Sequence, residues 1–185
     1  VSLKFVNQQN VDGSIDGMLI GTIQAAVSTY SAKQTGRKAR ATMMEKAKAG
    51  WYPSYAKIGY LNAKNPHPTS KTDGNIIVFD PERGSVIKEL LKKYSSGNYS
   101  ILNLQEWLDE TGFQTRSGKR MSYSAIGQII RDPFYYGFLR WGGLEIIGKH
   151  KPLIDKKVYE LNQYVAARHR NFLIRERKHN FLLRG

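Results

Sequence analysis

The chain has 185 residues, 41% of them hydrophobic and 11% aromatic, which is enough for one large or two small domains with packed cores. Lysine and arginine number 29 against 15 acidic residues, and the net charge of +14 predicts a polyanionic partner. Nucleic acid is favoured over a membrane because the basic residues are spread over several predicted helices and loops. The absence of cysteine and of any apolar run of about 18 residues argues against a disulfide-rich secreted domain and against a membrane span.

The N-terminal part predicts a short strand and then one long helix. Residues 3–6 are typical of a strand, and a turn-rich passage leads to Gly17. A helix is predicted from Met18 to Ala49. Its first half carries an apolar seam at spacings of three, four and three, which suits packing on another helix or another domain: Ile20, Ile23, Val27 and Tyr30.

The second half of this helix is strongly basic. Glu45 is its single acidic residue, against Lys33, Arg37, Lys38, Arg40, Lys46 and Lys48. A helix that is apolar early and basic late predicts an arm that leaves a protein interface and then lies along phosphates. A solvated charged face is the alternative.

Residues 51–74 predict a loop that begins after Gly50 and is rich in proline. Its aromatic residues alternate with Lys57, Lys64 and Lys71. A structureless loop of this length is uncommon inside a compact domain, so we expect a linker or a segment that tracks a DNA groove. Docking of the aromatic side chains on the next domain is equally consistent with the pattern.

The next elements are a strand and two helices. Residues 76–79 are β-branched or aromatic, and Asp80-Pro81 is a start signal for a helix. The core face of that helix is expected at Val86, Ile87, Leu90, Leu91 and Tyr94. After Gly97, a second helix from Ser100 to Glu110 is expected to direct Ile101, Leu104 and Leu108 inward.

A short amphipathic helix follows the basic residues Arg116, Lys119 and Arg120. Ser122 can cap its start, and Asp132-Pro133 ends it. At about 100° per residue, the isoleucines at 126, 129 and 130 oppose a polar face of Tyr123, Ser124, Gly127, Gln128 and Arg131. On a basic chain this pattern predicts a recognition helix, with Gly127 permitting close approach to a phosphate or base edge. An ordinary amphipathic surface helix is the alternative.

The segments after this helix complete the predicted fold. Residues 138–141 and 144–147 predict a β-hairpin whose turn is Gly142-Gly143, and a last helix is expected from Asp155 to Arg170. The fold class is therefore mainly α with short β elements (α+β). A long N-terminal helix precedes a winged helix-turn-helix-like domain.

No catalytic or metal-binding arrangement is evident. The four histidines, at 67, 150, 169 and 179, lack cysteine partners and metal-ligand spacing, so no metal or other cofactor is expected. His150 is expected to form a hydrogen bond with the backbone. The sequence contains no phosphate-binding glycine loop, no Ser/His/Asp set and no carboxylate pair. It therefore predicts a binding segment, and no catalytic residue is assigned.

Three segments resemble the recombinase domain of large serine recombinases, a family of phage integrases and mobile-element transposases. They are Lys119–Arg131, Asp132–Gly137 and Gly148–Asp155. Residues 5–17 and the long helix resemble the last strand and interdomain helix of the family's catalytic domain. Residues 50–60 resemble the start of the recombinase domain, although Lys57 stands where the family often has proline.

The resemblance implies three regions: the end of the catalytic domain with the interdomain helix (1–50), a linker (51–74) and the DNA-binding recombinase domain (75–185). It implies a fragment that lacks the catalytic serine domain and the zinc ribbon, and that is inactive alone. The parent enzyme would cleave DNA through a phosphoserine link, as a dimer on its site and a tetramer in synapsis. A cytoplasmic, nucleoid-associated location in a bacterium or phage is expected.

The expected partners are therefore double-stranded DNA and the protein's own catalytic domain, with no membrane. A free-standing winged-helix regulator and an RNA-binding accessory module are the alternatives. The expected DNA contacts are Arg37, Lys38, Arg40, Lys46, Lys48, Lys57, Arg116, Lys119, Arg120, Tyr123, Ser124, Gln128 and Arg131.

Overall fold

The computed structural model describes residues 15–70 and 73–176, so the strand predicted at 3–6 lies outside the described part. The chain divides into two compact units, one ending at Met43 and the other beginning at Met44.

The first element is the helix α1 (Ile15–Lys48), which contains no proline. Its threonine hydroxyls donate hydrogen bonds to backbone carbonyls of the preceding turn; Thr29 Oγ1, for example, donates to the carbonyl of Ala25 at 2.8 Å. The helix ends in a Schellman arrangement, with the N–H of Gly50 donating to Ala47 at 2.8 Å and the N–H of Trp51 to Lys46 at 3.0 Å. Gly50 has φ +82°, so the end point was predicted for the correct reason.

The two strands β1 (Tyr60–Lys64) and β2 (Asn75–Phe79) form an antiparallel pair, with Tyr60 opposite Phe79 and Lys64 opposite Asn75. The prediction that residues 51–74 lack secondary structure is therefore wrong. The sequence of β1, Tyr-Leu-Asn-Ala-Lys, has weak strand propensity. It becomes a strand because it supplies hydrogen-bond partners to β2, a tertiary effect.

The helices α2 (Arg83–Ser95) and α3 (Ile101–Glu110) both have clear start signals. The N-cap of α2 is Glu82, and the helix begins at Arg83 and not at Pro81, so the predicted start was wrong. The Asp80 carboxylate still accepts from the N–H groups of Glu82 at 3.1 Å and Arg83 at 3.2 Å, just before the helix and at its first residue. Ser100 and Asn103 form a reciprocal capping box at the start of α3.

The helix α4 (Tyr123–Arg131) is followed by a 3₁₀ turn at Pro133–Tyr136 and by the hairpin of β3 (Phe138–Trp141) and β4 (Leu144–Ile147). Both turn glycines have positive φ, +55° and +83°, as predicted. The last helix, α5 (Lys156–Glu176), extends beyond the predicted end at Arg170.

The core of the second unit lies where α2, α3, α4 and α5 meet. Of the residues predicted to face inward, Ile87, Leu90, Leu91 and Tyr94 on α2 and Leu104 and Leu108 on α3 are buried, whereas Val86 and Ile101 are partly buried against the core. The described chain is mainly helical with two antiparallel strand pairs, which confirms the predicted α+β class.

Candidate nucleic-acid interface

The helix α4 has one buried and one exposed face. Ile126 and Ile130 have exposed fractions of 0% and 1%, and Ile129 is also buried. The polar residues predicted to read DNA, Tyr123, Ser124, Gln128 and Arg131, are all exposed. The sequence therefore assigned the side chains of this helix to the correct sides, with one exception.

The exception is Gly127, which is buried against α3 and does not belong to the exposed face. A Cβ built on it would lie 3.7 Å from Cδ1 of Ile101. The prediction that Gly127 allows close approach to DNA is therefore wrong. The helical periodicity places Gly127 between the polar residues, as predicted, but α3 packs against that part of α4.

The ends of α4 are fixed by side chains from other segments. Ser122 Oγ accepts from the N–H of Ala125 at 3.3 Å at the start. At the other end, α5 supplies donors to the last carbonyls: Gln163 Nε2 to Ile130 at 2.8 Å and the Tyr159 hydroxyl to Arg131 at 3.3 Å. These bonds satisfy carbonyls that a helix leaves free at its end.

An open groove of about 580 Å³ runs beside α4. Lys57, Lys119, Arg120 and Gln128 line it together, so the structure brings one predicted base reader beside three predicted basic DNA contacts. Arg120 is paired with Asp109, and its Nε donates to Oδ1 of that residue at 2.8 Å. The hydrogen bond and charge of Asp109 raise the pKa of Arg120, which stays cationic.

Two further predicted DNA contacts, Lys57 and Arg116, also have partners within the protein. The Lys57 ammonium pairs with Asp132 and lies 5.1 Å from the centre of the Phe134 ring and 5.5 Å from that of Tyr52. The Arg116 guanidinium donates to the carbonyls of Tyr60 and Lys57, the latter at 3.3 Å. Their charges therefore have partners in the fold before any ligand is considered.

The basic residues of α1 are placed differently. In the first unit, Arg37, Lys38 and Arg40 are exposed, and none has an ion-pair partner within residues 15–70 and 73–169. In the second unit, Lys48 is exposed and Lys46 is half-buried.

One basic residue near the end of α1 was missed by sequence reasoning. The N–H of Lys149 donates to the Gly50 carbonyl at 2.9 Å, and its ammonium lies 5.0 Å from the centre of the Trp51 ring. Lys149 is exposed, so the connection after β4 adds a cation beside the end of α1. The signal available in the sequence was the run Gly148-Lys149-His150.

His150 itself is a structural residue, as expected. Its Nε2 lies 2.7 Å from the Phe134 carbonyl, and its ring stacks on Phe134 at 4.0 Å. Burial lowers the pKa of His150, which favours the neutral ring.

Within residues 15–70 and 73–176, no group of three or more His, Cys, Asp or Glu side chains is placed to hold a metal ion. In the same part of the chain, no helix is long and apolar enough to cross a membrane.

Comparisons with known proteins identify a matching family model and a curated relative. A family model described as Recombinase matches residues 81–168. A curated relative, uncharacterized immunity region protein 5 of Bacillus phage phi105, is 30% identical over 96 residues, which are 52% of this chain and 71% of that protein.

Two solved structures resemble the chain. The crystal structure of an LSR–DNA complex (LSR denotes large serine recombinase) has a TM-score of 0.53 at 19% identity over 71% of this chain and 39% of that one. A structure concerning the sequence requirements of the Listeria innocua prophage attP site has a TM-score of 0.52 at 19% identity, over 68% of this chain and 49% of that one. The chain thus spans less than half the length of either protein, and at this identity the likeness is one of fold.

Proposed function

We propose that this chain, a member of the large serine recombinase family, is a duplex-DNA-binding segment that positions a recombinase on its attachment site. The observation that carries the proposal is α4, which buries its isoleucines and exposes Tyr123, Ser124, Gln128 and Arg131. A hairpin follows this helix, which is the element order of a winged helix-turn-helix protein.

Charge supports the same proposal. The net charge of +14 favours a polyanion, and the exposed α1 cations Arg37, Lys38 and Arg40, which have no ion-pair partner among the described side chains, can neutralise phosphates. Gln128 can form paired hydrogen bonds with adenine and Arg131 with guanine. Phosphate contacts would hold the protein on DNA, and the α4 side chains would select the sequence.

The apolar seam of α1 supports a protein partner. Ile20, Ile23, Val27 and Tyr30 are 53%, 53%, 60% and 67% exposed. A row of large apolar side chains at helical spacing favours coverage by another apolar surface. We assign this surface to the protein's own catalytic domain and to helices of other copies, in a dimer on DNA and a tetramer in synapsis. The catalytic serine would belong to that domain, and no residue described here is assigned a catalytic role.

The salt dependence of DNA binding tests the phosphate contacts. Changing both Arg37 and Lys38 to Ala should lower the slope of log affinity against log salt by about two, because each phosphate contact contributes about 0.9. Lys88 and Lys92 are exposed on α2, and changing both to Ala is the matched control. The control should leave the slope unchanged. An unchanged slope in the Arg37/Lys38 variant refutes the assignment of these α1 residues to phosphate contacts. If the chain prefers single-stranded RNA loops to duplex DNA, the RNA-binding alternative is favoured.

A further inference from the structure

The turn at residues 57–60 holds α4 from both of its ends. We infer that Lys57 is a positioning residue for sequence reading, which acts through Asp132 and makes no contact with DNA. This inference rests on the proposed function, since it concerns how α4 is presented to a duplex. It replaces the DNA contact predicted for Lys57 from the sequence.

The first connection is at the C-terminal end of α4. Asp132 is the residue after the helix, and one of its carboxylate oxygens accepts from the N–H of Phe134 at 3.0 Å. The other oxygen pairs with the Lys57 ammonium. The same ammonium lies over the rings of Phe134 and Tyr52. The point at which the chain leaves α4 is thereby tied to the turn.

The second connection is at the entry to α4. Arg116 lies in the loop before the helix and donates to the carbonyls of Lys57 and Tyr60. That loop is closed on itself, since the N–H of Thr115 donates to the Lys119 carbonyl at 2.9 Å. Movement of the turn would therefore be transmitted to the segment that enters the helix.

The turn itself is fixed on several sides. The Tyr135 hydroxyl donates to the Ile58 carbonyl at 3.1 Å, and the N–H of Asp80 donates to the Gly59 carbonyl at 3.1 Å. Together with the bonds from Arg116, every carbonyl from residue 57 to residue 60 has a donor. Gly59 has φ +89°, and a Cβ there would lie 3.2 Å from Leu153. The turn is a rigid reference against which α4 is oriented.

The ammonium of Lys57 is already paired with the Asp132 carboxylate. The side chains of Lys57 and Asp132 are only 28% and 22% exposed. Pulling the ammonium toward a phosphate would leave a partly buried carboxylate without its partner, which is costly. Lys57 and Asp132 both line the groove together with Gln128, so the ion pair forms part of the wall beside α4.

A double-mutant cycle on the full chain tests the inference. The probes are a duplex selected from a random pool by the wild-type chain and a scrambled duplex of equal composition. Lys57→Met keeps the aliphatic stem and removes the charge, and Asp132→Asn keeps an acceptor for Phe134. Each should lower the ratio of selected to scrambled affinity by about tenfold, a typical coupling between contacting residues. The double variant should lose no more than either single variant, and the salt slope should stay unchanged.

Two further variants separate positioning from general effects. Lys57→Arg retains the charge and should retain most of the ratio. Lys64 belongs to the same segment and is exposed, so Lys64→Met is the matched control and should leave the ratio unchanged. Thermal melts establish which variants are folded. If Lys57→Met does not fold, Asp132→Asn and Lys57→Arg still decide the question.

The outcomes are distinct. A salt slope lowered by about one with equal loss on both duplexes would show that Lys57 contacts phosphate, against the inference. Additive losses in the double variant would show that the pair does not act as a unit. An intact ratio in Lys57→Met overturns the inference alone. A wild-type chain that selects no duplex overturns the proposed function and the inference with it.

Discussion

Replacing Gly127 by alanine tests whether this glycine packs against α3 or allows the backbone of α4 to approach DNA. Gly127 is inside the helix with no positive φ, and an added Cβ would make an ordinary contact at 3.7 Å with Ile101. Glycine in a helix interior is about 0.8–1.0 kcal/mol less favourable than alanine. Because the new methyl group also fits against α3, we expect Gly127→Ala to raise the free energy of unfolding by about 1 kcal/mol.

Urea denaturation followed by circular dichroism measures this change, and Gly84→Ala is its matched opposite. A Cβ at Gly84 would lie 2.8 Å from Cζ of Phe79 and 2.9 Å from the Gly59 carbonyl oxygen, so that variant should be destabilised by about 1–3 kcal/mol. Gly127→Ala should also leave DNA affinity unchanged. A folded Gly127→Ala protein with weaker binding to every duplex would show that the glycine backbone approaches DNA, and a destabilised one would refute the packing argument.

Two further predictions concern α4, and a third concerns Asp73 in the loop before β2. Gln128→Ala should lower preference for the selected duplex by roughly 1–3 kcal/mol in competition binding, with melting unchanged; equal loss on selected and scrambled duplexes would mean that α4 does not read sequence. Ile126→Ala should cost about 2–5 kcal/mol in urea denaturation and Ile129→Ala less, because Ile129 borders the groove and its cavity would be open to water; equal costs would contradict this. Hydrogen bonds from Thr69 and Ser70 lower the pKa of Asp73 from 3.8 to about 2, so its stabilisation is complete above pH 3.8 and is lost as pH falls through 2. Asp73→Asn should therefore lower the melting temperature at pH 7 but not at pH 2, and a difference that does not vary with pH would refute the assignment.

The helices and the second hairpin were predictable because their signals are local. Leu90, Leu91 and Tyr94 recur at helical spacing and form the inner face of α2. Gly142-Gly143 between two apolar runs specifies a tight turn whatever surrounds it. In both cases, the residues that decide the structure lie within a few positions of one another.

The strand β1 and the burial of Gly127 were not predictable because both depend on distant segments. Residues 60–64 pair with residues 75–79, and little in Tyr-Leu-Asn-Ala-Lys favours a strand over a loop. Gly127 lies on the polar arc of α4, but which part of that arc another helix covers is decided by α3. Periodicity gives the angle of a residue around its helix and not the identity of its neighbours.

The same limit explains why net charge overstates the DNA-contacting surface. The acid that pairs with Lys57 is 75 residues away, and the acceptors for Arg116 are backbone carbonyls, which leave no trace in a sequence. Lys57 pairs with Asp132, the residue that follows α4. A basic residue whose ammonium is held by the C-terminal cap of a helix is therefore better explained as a means of holding that helix than as an added DNA contact.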